Sequence, residues 1–100
     1  VSTRKRSEAS IQGAVVRAAK SAGFIAIKLS TAGRFGTSGW PDYMFISPDG
    51  RAVFMEFKAP DGGRLSDLQG LRIRELHEHK MPAYVVNDPE KGKAVLWQFL

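Results

Sequence analysis

The 100-residue sequence has no cysteine, which excludes disulfides, thiolate nucleophiles and cysteine-ligated zinc. No apolar run reaches the roughly 18 residues needed to span a bilayer. The basic stretch at residues 1–6 lacks the apolar segment of a secretion signal, so a soluble, cytoplasmic protein is expected. Histidine is scarce: His77 and His79 lie two apart on an expected helix, face different directions and make no chelating pair. Ser30, Thr31, Thr37 and Ser38 have neither histidine near them in sequence to act as a base. The glycines at 33, 36 and 39 are not followed by a lysine in phosphate-loop register. Acids are rare at the front, where Glu8 stands alone among the first 40 residues against Arg4, Lys5, Arg6, Arg17, Lys20, Lys28 and Arg34.

What is present suits a small globular α/β domain. With 43% hydrophobic and 25% charged residues the composition is that of a folded chain rather than a disordered one. A chain this short buries only about two thirds of its unfolded surface, which limits it to one sheet with one or two helices. A flexible basic arm is expected at residues 1–6 and a single domain over 7–100. The net charge of +5, with its basic front, points to a polyanionic partner, nucleic acid first; ordinary solubility accounts for the same charge.

A helix is expected over residues 7–22, with Ser7 as N-cap. Ile11, Ala14, Val15, Ala18, Ala19 and Ala22 form its buried stripe, and Gly23 ends it. A strand follows over 24–29, then a glycine-rich loop over 30–40. Two further strands, 42–47 and 52–58, flank the turn Pro48-Asp49-Gly50. Ser66 and Gln69 make a capping box that opens a helix running to about residue 80, stopped by Met81-Pro82. Two closing strands are expected, over 83–87 and 94–99, around a turn at 88–93. The expected order is α-β-β-β-α-β-β, with a mixed sheet flanked by helices.

The chemistry concentrates around Pro41-Asp42 and Glu56-Phe57-Lys58. Alternation along a strand puts Glu56 and Lys58 on one side. A hairpin centred on Asp49 sets Asp42 opposite Glu56, with Cβ atoms roughly 5 Å apart. Two like charges so placed call for a cation between them, and a lysine beside them suits metal-assisted phosphodiester cleavage. Because Phe54 shares its face with Glu56, that carboxylate is expected to be partly enclosed and to need a partner. Without a metal, Asp42 is a strand-initiating residue after proline, and Glu56 with Lys58 a local ion pair.

Glu8 sits three residues before Ile11 and seven before Val15, on the stripe side of its helix. Two roles fit it: complementing the helix dipole, or joining Asp42 and Glu56 at a divalent ion, for which carboxylate oxygens are suitable ligands. Gln69 is explained by its capping box, which does not preclude a role in the site. Arg34, Phe35 and Trp40 suit contact with a nucleic-acid backbone or an unpaired base; core packing fits Phe35 and Trp40 equally.

Taken together, Glu8 on a first helix, Gly39-x-Pro41-Asp42, Glu56-x-Lys58 and Gln69 opening the next helix resemble the PD-(D/E)xK nuclease superfamily. More narrowly they resemble its VRR-NUC domain in the stand-alone phage and bacterial form, over nearly the whole chain. The resemblance implies a restriction-endonuclease-like fold and a metal-dependent endodeoxyribonuclease. Asp42, Glu56 and the Phe57 carbonyl would hold Mg²⁺ or Mn²⁺, and Glu8 would complete the cluster directly or through water. Lys58 would position or deprotonate the attacking water, and Gln69 would orient Lys58 or that water. It further implies branched DNA as substrate, Holliday junctions included, and a homodimer. Arg4, Lys5, Arg6, Arg34 and Trp40 are the candidate DNA contacts. Flap, nick or restriction-type cleavage on the same fold, or a catalytically silent DNA-binding module, are the alternatives. The last segment, with Val95, Trp97 and Phe99 alternating, is a candidate for subunit pairing or for capping the core.

Overall fold

The computed structural model describes residues 7–30, 39–61 and 63–100. The expected DNA contacts Arg4, Lys5, Arg6 and Arg34, together with Phe35, lie outside the described residues. Three helices and four strands follow the order α-β-β-β-α-β-α: α1 (Glu8–Ser21), β1 (Ile25–Lys28), β2 (Tyr43–Ile46), β3 (Ala52–Phe57), α2 (Asp67–Glu78), β4 (Ala83–Val86) and α3 (Pro89–Trp97).

The strands form one mixed sheet in the order β1-β2-β3-β4. β1, β2 and β3 pair antiparallel, and β4 runs parallel to β3. A parallel neighbour cannot be reached by a tight turn, and α2 lies in the connection that reaches it. Between β2 and β3 the register runs from Ile46↔Ala52 to Tyr43↔Met55, so the hairpin is centred on Asp49, as the turn residues suggested. Ser47 anchors that turn: its hydroxyl accepts the Arg51 backbone N–H at 2.9 Å and donates to Asp49.

α1 begins at the expected cap, with Ser7 Oγ accepting the Ser10 N–H at 3.0 Å. Its stripe buries Ile11, Val15 and Ala19, with Val16 added. These side chains meet Phe45, Val53, Met55, Phe57, Val86, Val95 and Leu96 in the main core. A smaller cluster occupies the opposite face, built on Phe54, Leu76 and Ala83, with Trp40, Met44 and Ile73 packed against it.

The last element corrects the expectation. Residues 94–99 form no closing strand; they lie largely in α3 and just beyond it. Asp88 caps this helix by accepting the Lys91 N–H at 3.1 Å, and Pro89 occupies its first turn, where a missing N–H costs nothing. The expected turn at 88–93 is therefore the start of a helix. Gly92 lies inside it because α1 passes so close: a Cβ there would fall 2.6 Å from a Val15 methyl. Val95 is buried, Trp97 is exposed and Phe99 packs against the main core, so the segment offers no sheet edge for subunit pairing.

Candidate metal centre

Asp42 reaches the site through the short segment that precedes it. Gly39, at φ +80°, runs so close to α2 that a Cβ would lie 2.5 Å from Leu68 Cγ. Only glycine meets both demands. Pro41 is fully buried and delivers Asp42 to the start of β2. The Asp42 backbone carbonyl accepts the Leu29 N–H at 2.7 Å, tying it to β1. Its carboxylate accepts the Phe57 backbone N–H on Oδ2 at 2.8 Å. One pair beyond Tyr43↔Met55, the register brings Asp42 opposite Glu56, as the centred hairpin requires.

Glu56 is the buried member, with 2% of its surface exposed. Its Oε2 accepts from Lys58 Nζ at 3.2 Å and from Gln69 Nε2 at 3.0 Å. Its Oε1 is buried with no hydrogen-bond partner among the described residues. Burial is the main cause that pushes the Glu56 carboxyl up to about 7. The nearby Asp42 charge and, less strongly, Glu8 act in the same direction, while Lys58 opposes them. A buried carboxylate with one oxygen lacking a donor, close to two further acids, is a costly arrangement on its own.

Glu8 closes the cluster from the first turn of α1. One carboxylate oxygen each from Glu8, Asp42 and Glu56 lie within 4.8 Å of one another. Glu8 itself is exposed; it keeps to the side of α1 that carries the stripe, but a first-turn residue lies at the rim of the packed core. These three acids could hold a metal ion, and the unpartnered Oε1 of Glu56 is the observation that fits one.

Gln69 serves two masters through the two ends of one amide. Its Oε1 accepts the Ser66 backbone N–H at 2.9 Å, and Ser66 Oγ accepts the Gln69 N–H at 3.1 Å. This capping box fixes which way the amide points and so presents its NH₂ to Glu56. The partner is Glu56 rather than Lys58. Lys58, 15% exposed at its side chain, shares the Glu56 face as strand alternation requires.

The other expected residues fall elsewhere. Trp40 is half-buried in the smaller cluster, with the Arg72 guanidinium 5.4 Å above its ring. His77 and His79 are exposed and bonded separately, His77 to the Ala83 carbonyl and His79 to that of Glu75. Arg72 went unnoticed in the sequence, although it lies three residues after Gln69 and three before Glu75, spacings that put all three along one side of a helix.

No family model matches the sequence, nor does any curated protein. Among solved structures, the chain is similar to one described as a "VRR_NUC domain", with a TM-score of 0.78 at 22% identity. The match covers 93% of this chain and 97% of that one. The fold is that of a VRR-NUC domain. At this identity the likeness concerns the fold alone, so the acidic cluster rests on this chain's own geometry. Within the VRR-NUC fold, the cluster lies where the β2–β3 hairpin, the first turn of α1 and the first turn of α2 converge. Among the described residues no helix is long and apolar enough to cross a membrane.

Proposed function

We propose that this protein is a metal-dependent DNA endonuclease that hydrolyses phosphodiesters in branched DNA, with the four-way junction as its favoured substrate. The observation that carries this reading is the buried Glu56 carboxylate. One oxygen is held by Lys58 and Gln69, the other has no hydrogen-bond partner among the described residues, and the carboxylate is grouped with those of Asp42 and Glu8. Mg²⁺ or Mn²⁺ would be held by Asp42, Glu56 and the Phe57 carbonyl, with Glu8 joining directly or through water. When bound, the ion supplies a water of lowered pKa and a polarised phosphate.

The protein's own groups do the rest. Asp42 is fixed in direction by the Phe57 N–H, and Glu56 by the Gln69 amide, so both carboxylates are oriented before substrate arrives. Lys58 places a compact ammonium beside the carboxylates, where it orients the attacking water and steadies charge on the phosphate. Residues 7–100 act as one nuclease domain. Arg4, Lys5, Arg6 and Arg34 add salt-dependent attraction for the DNA backbone. Two copies related by a two-fold axis supply the paired incisions that a junction needs.

The test is incubation of labelled four-way junction, flap and linear duplex with Mg²⁺ or Mn²⁺, against EDTA. Paired, metal-dependent cuts in the junction are expected. Cutting of flap or duplex instead keeps the nuclease and discards the junction preference. Binding without cleavage of any substrate leaves a DNA-binding module and sinks the enzyme.

A further inference from the structure

Trp40, Arg72, Glu75, Leu76 and His79 line an open cavity of about 330 Å³. Its place follows from elements already described. Trp40 precedes Asp42 by two residues, and Arg72 follows Gln69 by one helical turn, about 4.5 Å along α2. Phe54, whose cluster receives Trp40, shares the face of β3 that carries Glu56. The cavity thus lies on the face of the sheet that carries Glu56.

Its chemistry selects among ligands. The Trp40 ring and Leu76 give it an apolar floor, and the Arg72 guanidinium sits 5.4 Å over the Trp40 ring. The rim is polar without an excess of positive charge: Arg72 Nη1 donates to Glu75 Oε1 at 2.9 Å, so the pair compensates itself. His79 Nδ1 meets the Glu75 backbone carbonyl at 2.8 Å. A carbonyl only accepts, so Nδ1 carries the proton and, in the neutral ring, Nε2 is left as an acceptor. Glu75 adds acceptor capacity and Arg72 further donors. A phosphate is disfavoured beside the Glu75 carboxylate, and an aliphatic chain would waste the rim. A flat heteroaromatic ring with donors and acceptors on its edge satisfies both floor and rim.

We infer that this cavity is a subsite for one unpaired nucleobase next to the cleaved phosphate, stacked with Trp40 and Arg72 and read at its edge by Glu75 and His79. The inference rests on the nuclease reading for its substrate and extends it. In a linear duplex every internal base is paired and stacked on both sides, whereas a pair beside a branch point opens at lower cost and can give up a base. The cavity would therefore supply preference for branched over linear DNA.

The test uses the Trp97→Phe protein, in which Trp40 is the remaining tryptophan, in EDTA so that no strand is cut. Three probes of equal length are compared: a single-stranded oligodeoxynucleotide, the same strand with abasic sites, and a fully paired duplex. The base-bearing strand should quench Trp40 emission and bind at least about fivefold more tightly than the abasic strand. The duplex should leave the emission nearly unchanged. Arg72→Ala and His79→Ala should each bring the base-bearing strand toward abasic affinity. These rim variants keep the test open should Trp40→Ala fail to fold. Equal affinity for base-bearing and abasic strands, no quenching by any strand, or equal quenching by the duplex overturns the subsite. A protein that cuts junctions while Trp40 stays unquenched keeps the nuclease reading and loses the pocket. Quenching without metal-dependent cleavage does the reverse.

Discussion

Strand β3 serves two sides with alternate residues. Val53, Met55 and Phe57 face α1 and α3 and are fully buried in a cluster of aliphatic and aromatic side chains. Phe54 and Glu56 face α2, where the apolar cluster is smaller and a carboxylate, an ammonium and an amide converge. The first side holds the sheet together. The second tolerates a buried acid with a missing donor, an arrangement that costs stability unless something binds there. The period of two lets a six-residue strand do both without either compromising the other.

That division can be tested at neighbouring positions. Phe57→Ala should cost about 3–5 kcal/mol of folding stability, read from urea denaturation. Lys58→Ala, one residue on, should leave the fold standing and lower cleavage by roughly 10²–10³, read by circular dichroism and junction cleavage together. A Lys58→Ala protein that unfolds like Phe57→Ala, or that turns over at the wild-type rate, breaks the comparison.

Glu56 sharpens it through pH. Its folded pKa of about 7 lies above the ordinary 4.5, so the folded state keeps a proton that the unfolded chain has released. The metal-free protein should therefore have the full Glu56 contribution to stability below about pH 4.5. It should lose on the order of 3 kcal/mol as pH rises to about 7. Glu56→Gln should flatten that window in urea titrations. Mn²⁺ added at pH 8 should raise the wild-type midpoint and leave that of Glu56→Gln nearly unmoved.

Ser66 gives the smallest effect. Ser66→Ala should cost about 1 kcal/mol as a lost helix cap and also weaken Mn²⁺ binding, measured by calorimetry, because the first turn of α2 that carries Gln69 loses the Ser66 Oγ bond to the Gln69 backbone N–H. Unchanged Mn²⁺ affinity would make Ser66 a cap and nothing more.

Much of the site was legible because it lies on a hairpin. Pro48-Asp49-Gly50 fixed the turn, the turn fixed the register, and the register brought Asp42 to Glu56. Helix starts were equally readable at Ser7 and Ser66, whose hydroxyls cap as expected. The last helix was misread because Val95, Trp97 and Phe99 alternate like a strand and Gly92 looks like a turn residue. Asp88, Pro89 and Glu90 carried the opposite message of an N-cap, a first-turn proline and a first-turn acid. The reason for Gly92 is the approach of Val15, seventy-seven positions earlier in the chain, which no local pattern contains. Arg72 on Trp40 was hidden for the same reason, since the two meet across α2 and the segment before β2.

Two of the site's groups, Glu8 and Gln69, occupy first turns of helices. Asp42 and Glu56 are fastened to the interior of the sheet. Local opening starts at helix ends and reaches central strands only with global unfolding. The constellation is therefore half permanent and half reversible: fraying of one turn of α1 or α2 withdraws an acid or an amide while the paired strands stay closed. In amide hydrogen exchange, Gln69 should report on the readiness of the site, and Phe57, whose N–H is clasped by Asp42, on the integrity of the whole molecule.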